Sequence, residues 1–138
     1  MKTKRLFPAL AVVLLLTGCA RVEKKTDSDH ASATSYTQIS QTEAMERMTA
    51  DDGHVIVDVR RQDEYDSGHI PGAILIPNES ISTERPKELP DLDQIILVYC
   101  RSGNRSKQAA QKLFDMGYTH VYEFGGINTW TGKIVTEE

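Results

Sequence analysis

Cys100 heads the segment Cys100-Arg101-Ser102-Gly103-Asn104-Arg105-Ser106, in which a nucleophile is followed at short range by two cations. A free cysteine titrates near a pKa of about 8.5 and is mostly protonated at neutral pH, whereas the thiolate is the reactive form. Neighbouring cations and a helix N-terminus can bring that value down to about 3.5–7.5 without any general base. Gly103 and Asn104 tolerate positive φ, so a short loop can curl until its N–H groups converge on one point. A helix beginning near Ser106 would add unsatisfied N–H groups and a positive dipole end. The expectation is therefore a catalytic thiolate at Cys100, with Arg101, Ser102, Gly103, Asn104 and Arg105 lining a small anion site. The arginines would grip an oxyanion through charge-assisted hydrogen bonds. Ser102 and Asn104 have two readings, as donors to that anion or as turn formers.

Such a loop needs a rigid frame. Residues 55–59 and 95–99 are β-branched runs suited to strands buried on both faces of a parallel sheet, and residues 73–76 and 120–124 are shorter strand candidates. An extended piece over 36–39 leads into Ser40-Gln41-Thr42-Glu43, a capping-box pattern opening a helix that carries Ala44, Met45 and Met48. Helices are expected over 61–67, closed by Gly68, and over 106–116, closed by Gly117, the second with Ala110, Leu113 and Phe114 on its inner face. The alternation predicts an α/β domain with a mainly parallel central sheet flanked by helices. Ligands of such sheets gather beyond the carboxyl ends of the strands, where Asp58-Val59-Arg60 and the Cys100 segment fall.

A carboxylate buried at the end of a strand needs a partner, and Arg60 or the active loop could supply it for Asp58. Asp58, Arg60 and Ser106 are accordingly expected to steady the loop from behind. His69, just before Pro71-Gly72, reads as a turn or packing residue, and Trp130 as core. His30, His54 and His120 are scattered, with no second cysteine in the domain, so no metal site is expected, nor any cofactor.

The chain has 138 residues, 39% hydrophobic and 26% charged, ordinary for a globular protein. Lys2, Lys4 and Arg5 precede an apolar run over 6–16 and the small residues Thr17 and Gly18, the order of a secretory signal. A membrane span needs about 20 apolar residues, more than this run offers. Leu16-Thr17-Gly18-Cys19 resembles the lipobox of bacterial lipoproteins, which implies a lipid on Cys19 and leaves Cys100 without an intramolecular partner. The expected organisation is a lipoprotein signal peptide over 1–18, a polar tether over 19–35 and one domain over 36–138. The expected product is exported, monomeric and anchored to a membrane on its periplasmic or extracytoplasmic side. The net charge is −4; without the leader's three cations, 13 basic residues face 20 acidic ones, giving −7. That balance argues against nucleic-acid binding, and a small anionic substrate would need the local positive site that Arg101 and Arg105 provide.

From about Tyr36 to Glu138 the chain resembles the rhodanese domain family. The resemblance rests on Asp58-Val59-Arg60, Glu64-Tyr65, the run from Gly68 to Ala73, the Cys100–Ser106 loop, and Gly125-Gly126 with Trp130, in that order. It implies a thiosulfate sulfurtransferase in which Cys100 takes sulfane sulfur from a small anionic donor and passes it, as a persulfide, to cyanide or a thiol. A non-enzymatic persulfide carrier or sulfur-relay or sensing protein is the alternative. Related phosphatases and arsenate reductases carry a loop one residue longer. Here four residues separate Cys100 from Arg105, a cradle better suited to one sulfur atom than to a phosphoryl group.

Overall fold

The computed structural model describes residues 35–136; the expected signal peptide, Cys19 and the expected tether through residue 34 lie outside them. Five parallel strands form one sheet: β1 (Thr37–Gln38), β2 (Val55–Asp58), β3 (Ile74–Leu75), β4 (Ile95–Cys100) and β5 (His120–Gly126). Their order is β1-β5-β4-β2-β3, and every neighbouring pair is parallel. β4 occupies the centre, and its last five residues are buried, as a strand covered on both faces requires.

Alternation along β4 supplies both faces. Ile96, Val98 and Cys100 belong to a core with Val57, Val59 and Val121, against which α3 (Asn104–Asp115) lays Ala109, Ala110 and Leu113. Leu97 and Tyr99 face the other core with Ile56 and Phe124, closed by Ala44 of α1 (Gln41–Met48) and Tyr65 of α2 (Gln62–Asp66). Trp130 packs at the margin of this second core, its ring 5.6 Å from that of Phe124.

Helix starts differ in detail from the sequence pattern. At α1, Ser40 Oγ accepts from the Glu43 N–H at 3.1 Å, but the Glu43 carboxylate turns to Arg47 one turn on, at 2.9 Å, leaving the capping box half made. The helix expected from Ser106 starts at Asn104, because Gly103 adopts φ 105° and turns the chain two residues sooner. β5 runs past Phe124 through the glycine pair to Gly126, and a single 3-10 turn over Ile127–Thr129 follows it. Gly126 is the partner of Cys100, while Gly125 takes φ 90° where the β4–β5 register shifts.

Candidate active site

Cys100 ends β4 with only 1% of its surface exposed. The chain then turns through Arg101, Ser102 and Gly103 straight into α3. The N–H groups of the first four positions of a helix have no acceptor within it. The one on Gly103 is donated to Cys100 Sγ at 3.0 Å, while the Lys107 N–H makes the first regular bond, to the Gly103 carbonyl at 3.2 Å. The amides of Asn104, Arg105 and Ser106 belong to the same first turn, so the sulfur sits at the positive end of α3. Arg101, Ser102 and Asn104 are exposed on the rim.

Arg105 is committed elsewhere. Its two terminal nitrogens bind the Glu64 carboxylate of α2 at 2.7 and 2.8 Å, a fork-on-fork pair. Glu64 also accepts from the Arg61 N–H at 3.1 Å, which caps α2. These contacts, the Arg105 guanidinium foremost, hold the Glu64 carboxyl down at about 2. Arg105 is in turn held more firmly in its charged form, chiefly by Glu64, with the nearby Cys100 contributing. The loop is thus tied to α2 while the arginine's charge stays within reach of the sulfur.

Asp58 finds its partner in Arg60, not in the active loop. Arg60 Nε lies 2.9 and 3.0 Å from the two Asp58 oxygens, and a terminal nitrogen 2.6 Å from one of them. The same side chain donates to the Gly68 carbonyl at 2.7 Å, so the buried pair fixes the turn after α2. Tyr99, beneath it, accepts from the Ile70 N–H at 3.1 Å; burial, then the charge of Asp58, pushes its phenol well above the usual range. His69 is buried and stacks on Tyr65 at 3.7 Å between ring centroids, a packing role.

Three supports were not assigned in the sequence. Glu64 stands in a recognisable motif, but its partner is 41 residues away. Gly126 lies directly under the loop: a Cβ there would overlap the Arg101 carbonyl and come within 2.6 Å of Ser102 N. Glu123 is buried at 2% exposure and accepts from Ser106 Oγ at 2.6 Å and from the Gly125 N–H at 2.8 Å. Ser106 Oγ also lies 3.4 Å from Cys100 Sγ, on its acceptor side. The available signal was one acid in the otherwise apolar run Val121-Tyr122-Glu123-Phe124, at a position whose alternation points to the α3 face.

A cysteine buried at the end of a central parallel strand, with its sulfur at the start of a helix, defines an α/β protein built around an anion-holding thiol loop. Residues 40–133 match the family described as the rhodanese-like domain, and the chain belongs to that family. It is 38% identical over 104 residues to a thiosulfate sulfurtransferase, GlpE, of Coxiella burnetii, an alignment covering 75% of this chain and 94% of that one. It is 35% identical over 108 residues to the putative sulfur carrier protein YrkF of Bacillus subtilis, covering 76% of this chain and 57% of the relative. Among solved structures, a rhodanese with anions from E. coli superposes with a TM-score of 0.56 at 36% identity, over 61% of this chain and 99% of that one. The relatives support a general sulfurtransferase role, with a sulfur donor and a sulfur acceptor as substrates.

Proposed function

We propose that the protein is a thiosulfate sulfurtransferase working through a Cys100 persulfide. The observation that carries this reading is the Gly103 N–H aimed at Cys100 Sγ at 3.0 Å, in a loop with four residues between Cys100 and Arg105. The Cys100 thiolate attacks the outer sulfur of thiosulfate. A new S–S bond forms as the old one breaks, and sulfite leaves with the bonding pair. The persulfide's terminal sulfur is anionic, and the first-turn amides of α3 offer it donors that need no rearrangement. Cyanide or a thiolate then attacks that sulfur and returns Cys100 to the thiolate. Arg101 and the rim residues Ser102 and Asn104 receive the donor's sulfonate oxygens, while Arg105 contributes charge from its place beside Glu64. Support comes from the thiosulfate sulfurtransferase named among the relatives and from the anions named in the solved rhodanese.

The carrier reading is kept because one relative is named as a putative sulfur carrier. Both need Cys100, and steady-state turnover with cyanide and several thiols separates them. Cys100→Ser is nearly isosteric and oxygen forms no stable persulfide, so the variant should fold, lose the 32-dalton sulfur adduct seen by mass spectrometry after thiosulfate treatment (about 32 by the mass of one sulfur), and lose turnover. Retained turnover would falsify the mechanism. We further propose that the protein is exported and anchored by lipid on Cys19, a reading supported by the signal-like order of residues 2–18 and by Leu16-Thr17-Gly18-Cys19.

A further inference from the structure

Glu123 is a buried ionisable group that the sulfur-transfer steps above do not use. It sits on β5 at 2% exposure, on the same face as Cys100, and one hydroxyl stands between them. Ser106 Oγ lies 2.6 Å from Glu123 Oε1 and 3.4 Å from Cys100 Sγ, with the Gly103 carbonyl at 3.0 Å and the Gly125 carbonyl at 3.4 Å. A serine has one proton to donate, and 2.6 Å is the length of a charge-assisted O–H···O bond. With Glu123 ionised, that proton points at the carboxylate, and the serine lone pairs face the sulfur and accept from the thiol. With Cys100 ionised, the arrangement reverses: Ser106 donates to the thiolate and a protonated Glu123 donates to Ser106.

Resting on the assignment of Cys100 as the sulfur-bearing thiol, we propose that Glu123 shares one proton with Cys100 through Ser106, acting as the positioning residue that lets the thiolate form without two negative charges in the site. In this exchange the S–H bond of Cys100 breaks as its proton bonds to Ser106 Oγ, and the Ser106 O–H bond breaks as that proton bonds to Glu123 Oε1. Two bonds form and two break, and the net charge is unchanged. The reason is electrostatic: two close buried acids do not both ionise readily, and the first proton lost belongs to the pair. Other groups face both ends of the pair, and the Gly125 N–H donates to Glu123 Oε1 at 2.8 Å. From β1, Gln38 Nε2 donates to Glu123 Oε2 at 3.3 Å, and Tyr36, leading into β1, has its phenol raised by burial and then by Glu123. From α3, Arg105 faces Cys100 but is paired to Glu64 of α2.

The test is the pH dependence of Cys100 alkylation by iodoacetamide in the full chain, read on the Cys100 peptide by mass spectrometry so that Cys19 does not intrude. The wild type should react in two separate steps as pH rises, the second as the shared proton leaves. Glu123→Gln should show one step, Ser106→Ala likewise, and Glu123→Asp should restore the second. A single step in the wild type, or two steps in Ser106→Ala, overturns the proposal even if Glu123→Gln does not fold. Persulfide formation from thiosulfate is followed on the same samples. Its absence from the wild type counts against the sulfurtransferase reading alone, since the alkylation profile still reports the proton.

Discussion

At the scale of single residues, Glu64 shows how a surface helix governs a buried reaction centre. Its carboxylate joins Arg105 to α2, and that pairing lowers its protonation point from the ordinary 4.5 to about 2. In acid the unfolded chain takes up this proton first. The stabilisation is therefore fully present above pH 4.5 and disappears as pH falls from there towards 2. Glu64→Gln should lower the melting temperature at neutral pH by an amount equivalent to ~1–3 kcal/mol, the range for stranding one partner of a charged hydrogen-bonded pair. Melting curves of the two proteins should converge at the acid end; a gap that persists undiminished to pH 2 would contradict the assignment. The Asp58–Arg60 pair and the strand-to-helix loop at Cys100 were legible because each lies within a few positions, whereas Arg105, expected in the anion site, is paired with Glu64 of α2. Glu64 and Glu123 were not, because their partners come together only when β4, β5 and the two helices assemble.

Among elements, the informative relation is between β5 and the loop that follows β4. The β-branched runs at 55–59 and 95–99 marked β2 and β4 to within a residue, since strands buried on both faces leave an unbroken apolar signature. The ends of α3 and β5 were harder. Gly103 and Gly125 both take positive φ, and the sequence does not say which glycine starts a helix and which sits in a strand. Gly126 is the more consequential. With φ −131° its backbone suits any residue, so the demand for glycine comes wholly from the loop lying on it. Gly126→Ala should therefore displace Arg101 and Ser102, costing ~1–3 kcal/mol as overpacking does and reducing kcat/KM for thiosulfate at least tenfold. Unaltered kinetics in a well-folded Gly126→Ala protein would show that the loop can lift without consequence.

For the whole molecule, charge and the proposed attachment bear on what reaches the site. Beyond residue 18 the chain carries 13 basic and 20 acidic residues, so the proposed anionic donor would approach a repelling surface and depend on the local field of Arg101, Arg105 and the α3 terminus. Lipid on Cys19 would hold that site near a membrane at the end of a polar tether. Cys19→Ala should release the protein from the membrane fraction into the soluble one with sulfurtransferase activity intact. Co-sedimentation of the variant with membranes would move the anchor to the apolar run over 6–16.

The register shift between β4 and β5 has a consequence for parity. Val98 is opposite Glu123, yet Cys100 is opposite Gly126, so β5 spends three steps where β4 spends two. In an unbroken strand, residues three apart look in opposite directions. The added step brings β5 back into phase, so that Glu123 and Gly126 both meet the Cys100 loop, one through Ser106 and the other beneath Arg101. β5 is in effect two half-strands offset by one residue, and that extra residue turns both Glu123 and Gly126 toward the loop that begins at Cys100.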